Sequence, residues 1–296
     1  MVKEKKVLIS KQYSKRSKLG DFWHRFSQNK GAVVGLVILT LLALNCIFAD
    51  VLYDYETQVI GYTLSERFQP PSAEHWFGTD DYGRDIFYRL MYGARYSLLI
   101  GIATVIVSMA IGIPLGAAAG YFGGRFDMIS FRFLDVIGAV PPLMMGIIVV
   151  SALGQGAVPL VLAMAISGMP PTARITRTAV MTVKNNEYVE AAKAIGMPTG
   201  SIIVRHVIPN CMSVIIVRLS LQIAGAIVSA SSLSFLGLGV PVPSPEWGAL
   251  LSAGRNHIRN YSYMSTFPGL AIMITVLAFN MVGDGLRDAL DPKLKR

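Results

Sequence analysis

Ionisable residues that could do chemistry gather in three places along this 296-residue chain. The first is the block Gly78-Thr79-Asp80-Asp81-Tyr82-Gly83-Arg84-Asp85, preceded by His75. Carboxylate oxygens suit a hard cation such as Ca²⁺ or Mg²⁺, so Asp80, Asp81 and Asp85 form a candidate ligand set. Arg84 in their midst argues instead for an ion-paired turn or a docking surface. The second place is Glu187-Tyr188-Val189-Glu190-Ala191-Ala192, followed by Gly196, Arg205 and Pro209. Two small residues between a carboxylate and a helix-ending glycine make a shallow, orientable docking surface rather than a catalytic centre. The third is a pair of lone charges in apolar surroundings, Asp135 and Arg218. The sequence holds no Gly-x4-Gly-Lys-Ser/Thr phosphate loop, no His-Glu-x-x-His and no Gly-x-Gly-Asp. Neither ATP hydrolysis nor intramembrane proteolysis is therefore expected of this chain. No His/Cys/Asp cluster of metal-ligand spacing stands in the apolar stretches, and no metal is expected there.

The elements that must position these residues follow from composition. The chain is 53% hydrophobic and 15% charged, well below the roughly 25% charge of soluble domains. Charge-free runs cover 31–49, 96–120, 136–173, 219–245 and 260–283. A bilayer core of about 30 Å takes around 20 apolar helical residues. Run 136–173 would reach roughly 57 Å as one helix, so it splits at Gly154-Gln155-Gly156 into two spans. These runs are too long and too uniformly apolar for barrel strands. An all-α membrane protein with six transmembrane helices is predicted.

Basic residues orient the spans. Nine Lys or Arg stand in residues 1–30, and Arg174, Arg177, Lys184, Lys193 and Arg205 follow the fourth span. Arg287, Lys293, Lys295 and Arg296 mark the tail, whereas 52–92 carries seven acids against three arginines. Both termini are therefore expected inside, and the net charge of +9 is a topology signal rather than a nucleic-acid footprint. The predicted organisation is a basic cytoplasmic arm at 1–30, a first span at 31–51 and an extracytoplasmic segment at 52–92. A five-helix core at 93–285, with a cytoplasmic loop at 177–211, and a tail at 286–296 complete it. The later spans fall at about 94–119, 130–152, 157–176, 213–238 and 266–284, with a proline-rich external loop at 239–265. Residues 1–30 lack the layout of a cleaved signal peptide, so 31–51 is expected to remain as a span. Cys46 and Cys211 are placed on opposite sides of the bilayer and are expected to pack rather than pair.

Within the spans, Pro141-Pro142 and Pro170-Pro171 remove backbone donors and kink their helices. Small residues, among them Gly112, Gly116, Gly120, Ser231 and Ser232, allow close helix packing or line a pathway. Asp135 and Arg218 fall toward the inner leaflet, where a mutual ion pair, snorkelling or a place on the pathway all answer the cost of charge in the membrane. In the loop, Thr182–Ile195 is compatible with one helix, Gly196 with its left-handed end, and Pro198 with the first turn of a second helix. Pro209 is expected to close that second helix before the fifth span.

Several blocks in one order carry a family resemblance: His75–Asp85, Tyr92-Gly93-Ala94-Arg95, Gly120–Gly124, Glu187–Ala192, Arg205–Asn210, Leu233–Gly239 and Phe279–Pro292. Over about residues 70–296 the chain resembles the C-type permease subunits of dipeptide, oligopeptide and nickel ABC importers. His206-Val207-Ile208-Pro209 stands where the general loop pattern has Ile-x-Leu-Pro. The resemblance implies the type I ABC importer permease fold in a bacterial or archaeal cell membrane. It implies a second homologous permease, one or two cytoplasmic ATPases that carry ATP and Mg²⁺, and an extracytoplasmic substrate-binding protein. It makes Glu187, Glu190, Ala191, Ala192, Gly196, Arg205 and Pro209 the coupling residues, and His75, Gly78, Thr79, Asp80, Gly83, Arg84 and Asp85 the outer vestibule. Di- or oligopeptides are the expected substrates, with nickel or a metal chelate as the alternative. An ATP-independent channel or secondary transporter is the reading the coupling loop argues against.

Overall fold

The computed structural model describes residues 18–290; the basic stretch Lys3–Arg16 and the tail residues Lys293, Lys295 and Arg296 lie outside them. Helix α1 (Lys18–Gln28) is joined to α2 (Lys30–Leu52) by Asn29, whose side chain caps α2 by accepting from the Ala32 N–H. An irregular segment leads to α3 (Ile86–Phe122), with a π turn at Tyr55–Val59 and a 3-10 turn at Leu64–Glu66. Then come α4 (Gly124–Gly138), α5 (Pro142–Leu153) and α6 (Ala157–Val183). The short helices α7 (Glu187–Ala194) and α8 (Thr199–Ile202) and a π turn at Ile203–Val207 follow. Last are α9 (Ile208–Phe235), α10 (Trp247–Arg255) and α11 (Tyr263–Leu290). Among the described residues no strand forms beyond the isolated bridge between Thr79 and Asp85.

Five helical stretches are long and apolar enough to cross a membrane, and α4 with α5 makes a sixth if the pair is one broken span. The third span, expected over 130–152 with a kink at Pro141-Pro142, is kinked there strongly enough to divide into two helices. It bends by 83° between α4 and α5, because Pro141 and Pro142 have no N–H to continue the ladder. Pro170 and Pro171 act differently: they lie inside α6, which runs on to Val183.

The centre of the bundle is the parallel pair α3 and α6. Gly112, Gly116 and Gly120 recur every fourth residue and so share one face of α3. A Cβ on Gly116 would stand 2.2 Å from the Ala173 carbonyl oxygen, and one on Gly120 2.7 Å from that of Arg177. Backbone-to-backbone approach of this kind replaces the hydrophobic drive that lipid surroundings remove. Helix α2 seats on α11 through Gly35 against the Ala278 carbonyl and Gly285 against the Ala32 methyl. Cys46 is half-buried and Cys211 buried, and both are free thiols.

The stretch 239–265 is not the open loop expected. Trp247 begins α10 at 2% exposure, donating from its indole N–H to the Leu90 carbonyl at 2.9 Å. Glu246 caps α10 by accepting from the Gly248 and Ala249 N–H groups, and it also takes the Ser97 hydroxyl. The proline cluster that suggests a loop is the lead-in to this buried helix.

Candidate functional site

At one end of the bundle, where α3 finishes and α9 starts, the 187–207 segment is held against the core. Val189 and Ala192 are buried with Ile202, Val207, Cys211 and Ile215. At about 100° per residue on a helix, the neighbours of Ala192 turn away: Glu187, Glu190 and Ala191 are exposed. The two alanines therefore do not form one shallow surface; Ala192 anchors the helix and Ala191 belongs to the outward face. Ile195 and Val204 are 78% and 63% exposed beside it, unusual for branched apolar residues in a polar segment. Glu187, Glu190 and Arg205 make no ion pair among the described residues.

Gly196 ends α7 as its type suggests. Its φ is +78°, its N–H donates to the Lys193 carbonyl, and Met197 donates to the Ala192 carbonyl at 3.1 Å. This is the two-bond closure of a Schellman motif. The segment is not one helix from Thr182 to Ile195, because Lys184–Asn186 separates α6 from α7. Lys184 explains the break: its ammonium donates to the Gly120 carbonyl at 2.9 Å and turns back onto the end of α3. Pro209 does not close a helix either. The π turn places the Ile208 N–H on the Ile203 carbonyl, shifting the ladder just ahead of a residue with no N–H to place. Pro209 lies in the first turn of α9, and residues Thr199–Phe235 form one continuous helical rod.

At the opposite end, the 75–89 block is a closed turn. The Asp80 carboxylate accepts from the Tyr82 and Arg84 N–H groups and from Arg84 Nε at 2.7 Å. Asp85 caps α3 by accepting from the Phe87 and Tyr88 N–H groups, and its other oxygen meets His75 Nδ1 at 2.9 Å. Thr79 is fully buried, donating to the Glu66 carbonyl and accepting from the Gln69 N–H. Gly78 and Gly83 both have φ +77°, and a Cβ on Gly83 would strike the Thr63 carbonyl. Asp80 and Asp85 are spent on backbone N–H groups, Arg84 and His75, whereas Asp81 faces the Arg84 guanidinium at 3.9 Å with its Oδ1 buried and without a hydrogen bond. Among the described residues no three acidic, His or Cys side chains converge as a cation site; the block is the ion-paired turn. Arg89, 1% exposed, extends it by donating to the Val59 carbonyl at 3.0 Å.

The lone membrane charges do not pair with each other. Asp135 on α4 meets Arg174 on α6 at 2.8 Å, with both side chains more than half exposed. One turn away on α6, Arg177 holds Asp127. Arg218 instead lines a cavity of about 270 Å³ between α3, α5, α6 and α9, together with Pro142. Gln222 on its wall closes a hydrogen-bonded triangle with Ser108 and Thr172 behind it, across three helices at 3.0–3.2 Å. Ser231 and Ser232 line a second recess of about 430 Å³ facing α10 and α11, so the two serines and Pro142 do not share one site. Pro141 stands at the bend between α4 and α5. Sequence reasoning passed over Lys184, Asp127, Gln222 and Glu246. Gln222 was legible as the lone amide within the charge-free run 219–245.

Residues 112–296 match the family described as binding-protein-dependent transport system inner membrane component, and residues 17–71 match the N-terminal TM domain of oligopeptide transport permease C. The chain belongs to the binding-protein-dependent transport system inner membrane component family. It is 44% identical to the dipeptide transport system permease protein DppC of Alkalihalophilus pseudofirmus, over 96% of this chain and 93% of that one. It is 44% identical to the oligopeptide transport system permease protein OppC of Bacillus subtilis, over 93% and 90%. The glutathione transport system permease protein GsiD of Pectobacterium atrosepticum is 43% identical over 97% and 95%. In fold, the chain resembles a chain of the inward-facing MetNI methionine ABC transporter, with a TM-score of 0.58 at 14% identity, over 70% of this chain and 98% of that one. As a multi-pass permease of this family it is a transporter subunit, not an enzyme, and the family implies ATPase and binding-protein partners.

Proposed function

We propose that the chain is one of two transmembrane permease subunits of an ATP-driven importer of di- or oligopeptides in a bacterial or archaeal cell membrane. The observation that carries this is the outward face of α7, fixed to a continuous helical rod. Glu187, Glu190, Ala191 and Ile195 are presented at the surface while Val189 and Ala192 tie the segment to the core. A rigid lever whose charges lack ion-pair partners among the described residues suits an ATPase groove that supplies them. One or two ATPases then carry ATP and Mg²⁺, and their closure moves α9 and α6. The termini lie on the cytoplasmic side, and the His75–Asp85 turn with α10 forms the outer face that seats a substrate-binding protein. The relatives' names, which speak of dipeptide, oligopeptide and glutathione transport, support peptides over nickel.

The test is purification of the tagged chain from its native membrane, with co-purifying proteins identified by mass spectrometry and dipeptide uptake measured after reconstitution. A second permease and ATPases are expected, with the ATPases lost in Gly196→Pro. A chain that purifies alone and still moves solute overturns the proposal.

A further inference from the structure

The importer reading leaves the Arg218 cavity without a role. Arg218 is the single charged residue on its wall, and Thr104, Ser167, Gln222 and Ser229 supply polar atoms. Among the described residues Arg218 has no hydrogen bond or ion pair, and Asp135, the acid the sequence offers it, is held by Arg174. Thr104 is 2% exposed, and its hydroxyl has no hydrogen-bond partner. Gln222 is held in a fixed pose, its Nε2 donating to Ser108 and the Gly168 carbonyl and its Oε1 accepting from Thr172, which leaves one Oε1 lone pair unused. Gly225 leaves room: a Cβ there would meet nothing within 4 Å.

Arg218 is exposed in the single chain, so its guanidinium is open to an anion or water that enters the cavity, and the buried Thr104 hydroxyl without a partner carries a penalty. Both groups are met by one chemistry, a carboxylate with an amide beside it. The guanidinium fork matches a carboxylate in two-point geometry, while the same charge repels a bare divalent cation. The volume lies near the lower end of small-molecule sites, about 300–1,000 Å³, enough for a peptide terminus and not for a long chain.

We infer that this cavity is a transient station for the free carboxylate end of a transported peptide. Arg218 pairs the carboxylate, Thr104 donates to the carbonyl of the adjoining amide, and Gln222 Oε1 accepts its N–H. The inference rests on the peptide-importer reading and specifies what part of the peptide its pathway recognises. A carboxylate of the second permease would have the same chemistry, and the experiment separates the two sources.

The assembled complex, in nanodiscs and without binding protein, is probed by saturation-transfer NMR with alanyl-phenylalanine and with its C-terminal amide. The free acid should bind, and the amide should bind about tenfold or more weakly, as loss of a charge-assisted hydrogen bond implies. Arg218→Gln should bind acid and amide equally poorly, and Arg218→Lys should keep part of the preference. Gly225→Leu, which fills the cavity, should abolish binding in an assembled complex and decides the matter if Arg218→Gln does not assemble. Equal binding of acid and amide, unchanged binding in either the Arg218→Gln or the Gly225→Leu complex, or no binding at all overturns the inference and leaves a partner carboxylate on Arg218. Uptake of the same dipeptide by wild-type proteoliposomes with binding protein is the separate control. Its absence removes the importer reading, whereas its presence without a role for Arg218 removes the station alone.

Discussion

Asp127 and Arg177 meet in a two-pronged pair, with Nε–Oδ1 and Nη2–Oδ2 both at 2.5 Å. Asp127 lies in the first turn of α4, where the helix dipole favours a carboxylate. The Arg177 backbone is the part of α6 that faces Gly120, two turns before Lys184, and its guanidinium covers the Phe131 ring at 5.0 Å. The bent pair α4–α5 is thereby fastened to the helix that leads into the 187–207 segment. Motion of that segment has a mechanical route to the break at Pro141-Pro142.

Asp127→Asn should loosen this fastening. Both side chains are partly exposed, 31% for Arg177 and 17% for Asp127, so the expected cost is about 1 kcal/mol rather than that of a fully buried pair. A lower thermal midpoint of the purified complex should report it. Arg177→Lys should not substitute, since an ammonium lacks the fork. A double-mutant cycle with coupling indistinguishable from zero would show that the pair carries no stability.

The division of labour between Ala191 and Ala192 is open to direct chemistry. In a background with Cys46 and Cys211 replaced by serine, Ala191→Cys should react with a maleimide in the isolated chain and be shielded in the assembled complex. Ala192→Cys should react slowly in both, being 4% exposed. Equal labelling of the two positions would mean that α7 presents a different face.

Gly196 has the open surroundings but not the backbone freedom for a side chain. Nothing lies within 4 Å of its would-be Cβ, yet φ is +78°, where an L-residue costs about 1–2 kcal/mol. Gly196→Ala should reduce coupling, seen as more ATP hydrolysed per peptide moved, while Gly196→Asn should be milder because Asn tolerates this region. Gly196→Pro also removes the N–H that reaches Lys193 and should be the most severe. An alanine variant as well coupled as wild type would remove the rigid-closure argument.

The legible parts of this fold are those set by local chemistry. Charge-free runs mark the spans because the bilayer allows little else, and Gly196 announces a helix end by residue type. Partner choice across the bundle was not legible. The acid Asp135 takes Arg174, thirty-nine residues on and in a different helix, rather than Arg218, because the 83° bend turns α4 along α6. Helix α10 escaped because Pro241, Pro243 and Pro245 read as loop, and because a buried glutamate cap is not a common start signal. The Arg218 cavity required three-dimensional placement of four helices.

The parallel seam of α3 and α6 gives the sharpest prediction, because a helical glycine on the seam and one in open space on α9 should respond oppositely. Gly116 faces backbone: a methyl would approach the Ala173 carbonyl oxygen at 2.2 Å and its Cα at 3.0 Å. Backbone cannot rotate aside as a side chain can, so Gly116→Ala should force the helices apart. Separating them also strains the Ser108–Thr172 bond two turns back along α3, so the loss should exceed the usual 1–3 kcal/mol of overpacking. Gly225, with no atom within 4 Å of its Cβ, should tolerate alanine and gain helix propensity of up to about 1 kcal/mol. Yield, size-exclusion profile and thermal midpoint of the two variants in parallel check this. A Gly116→Ala protein as stable as Gly225→Ala would mean that α3 and α6 do not meet along this stripe. The hydrogen-bonded triangle beside the Arg218 cavity would then lose its framework.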